Sequence, residues 1–419
     1  MLIEYSVENF GSISEKTTFS MLAAKGNSKP ENLIKIEKNP NIKKLLKSCV
    51  IYGANASGKT NQIVALQVIR DFVVDSKNNN KGDKLPHTPF VLSKAFVERP
   101  TWFEVDFITD NTEYIYRFSY NADQIINEEL SYFKGKTEKY IFKREKDQLE
   151  TFVDDDELSG LFRHTGDNVL FLSKANNEYK KFGPVFEWFS INLHTLGPIF
   201  GIGDKHTINY INKSKDCKNK VLKILNYADF DISDISGNVI KMDKSGIPPG
   251  MREFIEHVTK KSFNDGELSK TELKSVHIRD DGQEIVSDFS EFESDGTCIF
   301  FNILGIWLDA LENHQRVLVI DEIDTRLHPD LIMYLLKMFH DTEFNKADSQ
   351  LIFTTHNTRI LSTDFFRRDQ VWFTEKDKHT KTTNLFSLYD YENRTDRSIE
   401  KAYYTGRYGG LPDIVYGRI

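Results

Sequence analysis

Residues Gly53-Ala54-Asn55-Ala56-Ser57-Gly58-Lys59-Thr60 carry the pattern Gly-x-x-x-x-Gly-Lys-Thr, directly after the apolar run Cys49-Val50-Ile51-Tyr52. Glycines at those positions let consecutive backbone N–H groups curl around phosphate oxygens. The lysine reaches the β- and γ-phosphates, and the threonine hydroxyl can hold Mg²⁺. A helix opening just after the loop aims its positive end at the same anion. The expected ligands are ATP and Mg²⁺, contacted by Gly53, Asn55, Ala56, Ser57, Gly58, Lys59, Thr60 and Asn61. A second apolar run, Arg316-Val317-Leu318-Val319-Ile320, ends in the carboxylates Asp321 and Glu322. At the end of a strand, Asp321 can hold Mg²⁺ together with Thr60. Glu322 is then placed to orient and deprotonate an attacking water, with Lys59 as its catalytic partner.

Two further segments are weak alone and gain weight from their order. Gln350-Leu351-Ile352-Phe353-Thr354-Thr355 reads as another apolar strand, ending at His356. A lone histidine there is usually a surface residue. Glu293-Ser294-Asp295-Gly296-Thr297 precedes an apolar helix that Ser294 or Asp295 can cap.

These residues need strands to carry them. The last third alternates an apolar helix over 297–313, a strand over 316–320, a helix over 330–340 and strands over 350–354 and 370–374. Such alternation implies a parallel sheet covered on both faces. Before it, Trp102–Phe107, Tyr114–Phe118 and Tyr140–Phe142 read as antiparallel hairpins, residues 76–87 as a polar loop, residues 154 to about 260 as mainly helical and residues 272–292 as strand-like alternation. The expected fold class is α/β, a P-loop head with a mixed or parallel sheet, an N-terminal antiparallel β subdomain and a mainly helical insertion. The expected boundaries are 1–155 for the N-terminal lobe, 156–285 for the insertion and 286–419 for the C-terminal lobe.

Bulk properties narrow the class. The 419 residues hold 55 Lys and Arg against 63 Asp and Glu, a net charge of −8, so capture of nucleic acid by charge alone is not expected. No apolar stretch is long enough for a membrane span. Cys49, Cys217 and Cys298 form no Cys-x-x-Cys pair, which suits a reducing compartment, and the N-terminus lacks a leader pattern. A cytoplasmic location is expected. Asn80-Lys81-Gly82-Asp83 matches the guanine-specificity pattern Asn-Lys-x-Asp, but it sits in the polar loop rather than after a buried strand.

With four ordered motifs the chain resembles the ABC-type ATPase heads of the SMC, OLD and RecF group, whose opening strand is similar to Val7-Glu8-Asn9-Phe10-Gly11-Ser12-Ile13. The closer resemblance is to the bacterial ATP-binding family that includes RloA and AbiLi, related to AriA and PtuA. It rests on the phosphate loop with Asn61, on Glu293–Thr297, on Leu327-His328-Pro329, and on Glu400–Tyr403 with Gly406-Arg407-Tyr408-Gly409. The resemblance implies that His356 is the switch histidine and Asp324 the D-loop aspartate. It implies that Ser294 and Gly296 form a signature turn acting across a head-to-head dimer or higher oligomer. It also implies anti-phage defence, with a separate effector such as a nuclease or toxin. The signature departs from the Leu-Ser-Gly-Gly-Gln form, Gln124 falls in the region of the Q-loop, and Gln62-Ile63 stand where relatives tend to have leucines. A DNA-maintenance ATPase of the RecF or SMC kind, with DNA as a partner, is the alternative. A transporter subunit and a non-hydrolysing ATP sensor fit the motifs less well.

Overall fold

The computed structural model describes residues 1–152, 156–176, 178–197, 202–242, 268–313, 315–361, 364–391, 399–405 and 408. Two compact units are present. The first comprises Met1–Gly197, Ala310–Asp324 and Ile332–Ile419, and the second Pro198–Asp309 with Thr325–Leu331.

The first unit contains two large sheets. In one, β1 (Leu2–Glu8) and β2 (Thr17–Ser20) extend an antiparallel meander of β6 (Thr101–Thr109), β7 (Thr112–Tyr120), β8 (Ile125–Lys134), β9 (Thr137–Glu145) and β10 (Gln148–Thr151). Alternation sets its faces. Phe103, Val105 and Phe107 point into the core, while Trp102, Glu104 and Asp106 point away. A small hairpin, β3 (Leu33–Lys35) with β4 (Lys44–Leu46), lies beside β1 in sequence.

The other sheet runs in the order β11 (Leu193–Leu196), β15 (Val317–Ile320), β16 (Gln350–Thr354), β5 (Ser48–Gly53), β17 (Val371–Lys376), β18 (Thr383–Ser387). Every pairing is parallel except β17 with β18. Every residue of β5, β15 and β16 is buried, as expected for strands covered on both faces. This order matters for function. The phosphate-loop strand β5 lies beside β16, which ends at His356, and β16 lies beside β15, which ends at Asp321. Three carboxyl ends therefore open on one edge, where ligands bind in open parallel sheets.

Helix α1 (Lys59–Asp75) packs its Ile63, Leu66, Ile69, Phe72 and Val73 into the core shared by both sheets. Phe72 packs at a tilt against Tyr120 of the meander, ring centroids 4.5 Å apart. Truncating Phe72 to alanine should cost about 3–5 kcal/mol. Gln62, fully buried on the same helix, receives the Tyr5 hydroxyl at both its backbone oxygen (3.1 Å) and its side-chain oxygen (3.2 Å). That partner gives a polar residue a place where an apolar one is common.

The insertion differs from expectation at its start. Residues 156–197 belong to the first unit, because Leu158, Phe171, Phe182, Trp188 and Phe189 join its core and β11 pairs with β15. It is also less helical than expected. Helices Lys205–Ile211 and Lys215–Tyr227 are followed by β12 (Asp234–Met242), which pairs with β13 (Leu268–Ile278), itself paired with β14 (Glu284–Asp288). These strands alternate around mostly exposed side chains, so their apolar signal is thin. Residues 243–267, also read as helical from sequence, lie outside the described residues. No described helix is long and apolar enough to cross a membrane.

Candidate nucleotide site

The loop after β5 is held by hydroxyls from neighbouring strands. A Cβ on Gly53 would meet Thr374 Oγ1 at 2.3 Å and the Thr374 carbonyl at 2.7 Å, so only glycine passes β17 here. Gly58 has φ +103° and faces Thr383 Oγ1 at 2.2 Å from its hypothetical Cβ. Ala56 also lies in the left-handed region, at φ 62°. These turns bring the loop around to open α1 at Lys59. Ser57 Oγ is 2.6 Å from Thr374 Oγ1, and Thr383 Oγ1 donates to the Ser57 carbonyl at 2.9 Å. Asn61 donates to Ser12 Oγ at 2.6 Å, tying the loop to the N-terminal strand region. Ser57 and Asn61 thus brace the loop, while Asn55 and Ala56 are exposed at its tip.

Lys59 is buried and folds back on its own loop, donating to the carbonyls of Gly53 (2.8 Å) and Ala54 (3.0 Å). Burial holds its pKa below the usual lysine range, opposed by Asp321, Glu322 and Asp324. The two halves of the expected metal pair touch: Thr60 Oγ1 donates to Asp321 Oδ2 at 2.9 Å. Both are hard oxygen donors on fixed strand and helix ends, and this donor set fits Mg²⁺.

Thr354 was not singled out in the sequence, yet it joins the Asp321 carboxylate to the Glu322 backbone. Its fully buried hydroxyl donates to Asp321 Oδ1 at 2.5 Å and accepts from the Glu322 backbone N–H at 2.7 Å. Glu322 sits at φ 51°, a conformation that costs a non-glycine residue about 1 kcal/mol or more. The Thr354 bond helps hold it there. The signal for Thr354 lay in the Thr-Thr-His ending of an otherwise apolar strand. Thr374 and Thr383 gave no comparable signal, because their role depends on strands distant in sequence, whereas Ser12 lies in the opening segment Val7–Ile13.

Asp324 Oδ2 accepts from the His356 N–H at 3.3 Å, and its Oδ1 is a buried atom with no hydrogen-bond partner. Burial and then the Lys59 charge lower the His356 pKa, against the three acidic neighbours, so the ring is neutral near pH 7. The structure therefore assembles Lys59, Thr60, Asp321, Glu322, Asp324 and His356 within one unit.

Ser294 and Gly296 lie in the second unit. Ser294 Oγ accepts from Thr297 N at 3.1 Å and caps the helix Asp295–Asn313. Gly296 would tolerate a Cβ, whose nearest neighbour is the Arg326 carbonyl at 3.6 Å. Arg326 pairs with Asp295 at 3.1 Å, with both side chains largely exposed. Gln124 occupies the β7–β8 turn, its N–H bonded to Asn121 Oδ1. Asn80–Asp83 is a turn closed on itself, with Asn80 N and Nδ2 both donating to Asp83 Oδ2. Of Gly406-Arg407-Tyr408-Gly409 only Tyr408 is described; it stacks on Phe373, as does Tyr403.

The family model described as "AAA domain, putative AbiEii toxin, Type IV TA system" matches residues 49–362, from the phosphate-loop strand to just past His356. None of the curated proteins matches the chain. Among solved structures, the SMC head domain from Thermotoga maritima aligns over 92% of this chain and 98% of its own, at 12% identity and a TM-score of 0.38. The family match spans most of the chain, and the phosphate loop lies on the parallel sheet such a domain requires. The chain therefore belongs to this AAA domain family and has an α/β P-loop ATPase fold.

Proposed function

We propose that the chain binds ATP with Mg²⁺ and hydrolyses it, as an ABC-type head whose site is completed by a second copy. The observation that carries this reading is the contact of Thr60 with Asp321, with Glu322 held beside them by Thr354. Lys59 exchanges two backbone carbonyls for the β- and γ-phosphates. Glu322 orients water and takes its proton. Neutral His356 donates a hydrogen bond toward the γ-phosphate. Mg²⁺, when bound by Thr60 and Asp321, supplies charge neutralisation at the phosphate oxygens. Ser294 and Gly296 act across the dimer, where the helix N-terminus after Ser294 adds a positive dipole.

The biological setting we infer is a prokaryotic anti-phage defence system of the RloA and AbiLi kind, in which the nucleotide state controls a separate nuclease or toxin. The motif combination supports it, as does the family's printed association with a toxin–antitoxin type. Glu322→Gln should retain ATP, accumulate as a dimer, and lose about 10²–10⁴-fold in hydrolysis. Wild-type turnover by that variant would remove Glu322 as the base. A neighbouring gene for a nuclease or toxin supports defence, whereas ATP-dependent DNA binding that weakens steeply with salt favours DNA maintenance.

A further inference from the structure

A cavity of about 940 Å³ opens in the first unit, away from the phosphate loop. The loop caps the start of α1, and the cavity lies beyond its end, at Lys77 and Asn79. Seventeen helical residues separate the two, about 25 Å at 1.5 Å per residue. Four other stretches complete the walls: the β7–β8 turn, the β9–β10 turn, the segment 162–169 and the helix Phe171–Ala175.

Its charge is opposite to that of the chain. Lys77, Lys81, Lys146, Arg163 and Lys174 line it, against Asp147 and Asp167. None of the five makes an ion pair among the described residues; Lys77 only lies over the Phe186 ring, at 5.2 Å. Five unneutralised cations around one concavity repel each other, and a cleft focuses their field. A protein of net charge −8 has carboxylates enough to pair them, yet among the described residues they are left unpaired.

The walls are also fixed. Arg144, 1% exposed, donates to the carbonyls of Lys146 (2.8 Å), Gly166 (3.1 Å) and Val169 (2.6 Å), and its charge is met by buried Glu128. Asn168 donates to the carbonyls of Asn80 and Asp83, which pins the turn carrying Lys81. Arg144 is thus consumed as scaffold, and the five cations remain for a ligand. The Phe162 ring adds one apolar wall.

We propose that this cavity is a second anion site, taking a phosphate-bearing ligand of nucleotide size. The volume suits such a ligand, and neither the phosphate loop nor its carboxylates contribute to it. The test uses the full-length chain carrying Lys59→Ala, which disables the phosphate loop. It is titrated by calorimetry with AMP, with sodium tripolyphosphate and with a short oligothymidylate, at about 50 and 300 mM salt. AMP and tripolyphosphate should each give one saturable event, weaker at the higher salt. Adding Lys146→Glu, Arg163→Glu and Lys174→Glu should weaken both by at least about ten-fold, because the field in the cavity changes sign. Lys81→Glu alone, on an exposed turn, should give a smaller loss in the same direction. The melting temperature of each charge variant should stay within a few degrees of its parent, which separates a lost site from a lost fold. Tighter binding of oligothymidylate than of AMP would make a nucleic-acid strand the source of the phosphate, and the reverse order a free nucleotide. No binding of any probe at millimolar concentration, or binding unchanged by charge reversal, overturns the proposal.

Discussion

The phosphate loop and the signature turn are built in opposite ways. The loop is braced from outside: Thr374, Thr383 and Ser12 reach it from three other segments, and Gly53 is in contact with β17. The signature turn is anchored at its start, where Glu293 Oε1 accepts from Ser275 Oγ of β13 and lies 2.7 Å from His277 Nε2. From Ser294 onward it is held only by the Ser294 cap and an exposed pair between Asp295 and Arg326. A loop braced by neighbouring strands can hold phosphate before any partner arrives. A self-capped, exposed turn leaves its helix N-terminus free to be used by something else. The contrast suits a composite site in which one half is preformed and the other is presented to a second copy.

The most damaging way to break the braced half is Gly53→Ala. Its Cβ meets a backbone carbonyl that no rotamer change relieves, so β5 and β17 must separate at their ends. We expect a loss of stability of about 2–3 kcal/mol and ATP affinity lowered by at least about ten-fold, read by thermal melting and nucleotide titration. Ordinary affinity in this variant would mean that the loop is looser than its neighbours imply.

Thr354→Val tests the brace on the carboxylates. The isosteric change leaves Asp321 Oδ1 and the Glu322 N–H without their shared partner, at a cost of about 1–3 kcal/mol. Hydrolysis should fall by about 10–100-fold with ATP binding nearly retained, since Thr354 acts only through Asp321 and the backbone of Glu322. Equal losses in binding and turnover would place Thr354 in the fold rather than in the catalytic arrangement.

His340 extends the brace to the far end of β5, where its Nε2 lies 2.7 Å from Ser48 Oγ. Burial first, and then the charges of Lys47 and Lys29, lower its pKa from 6.5 to about 3. The unfolded chain takes up this proton at higher pH than the native chain does. Stability contributed by the neutral ring is therefore present above about pH 6.5 and is lost as pH falls from there toward 3. Urea midpoints measured across that window should drop more steeply for the wild type than for His340→Asn.

The smallest effect on stability is expected in the other half. Ser294→Ala removes a cap worth about 1 kcal/mol. If the turn works across a dimer, this variant should bind ATP normally yet turn it over poorly. Mixing it with Lys59→Ala chains should restore one functional site per heterodimer. Unimpaired turnover by Ser294→Ala would reduce the turn to the helix cap that its local geometry already explains.

How far the sequence reaches differs between these parts. Lys59, Thr60, Asp321 and Glu322 were legible because each sits at a fixed offset from an apolar strand, and strand ends dictate where such side chains emerge. The parallel sheet was legible for the same reason, since strands buried on both faces write themselves as continuous apolar runs. Within the insertion β13 and β14 are legible as strand-like alternation, whereas β12 is hidden in a stretch that reads as helical, because it is a half-exposed strand of mixed polarity whose partner is remote in sequence. Residues 156–197 were assigned to the wrong unit because core membership depends on what a helix packs against, which periodicity does not name. By itself, then, the sequence determined the phosphate-binding chemistry and the strands that carry it, because both are local. Only the tertiary structure decided that β16 lies between β5 and β15, and so that Thr354 joins the Asp321 carboxylate to the Glu322 backbone. It alone drew five cations, without ion pairs among the described residues, from four segments into one cavity, because strand order and loop convergence arise from packing rather than from local spacing.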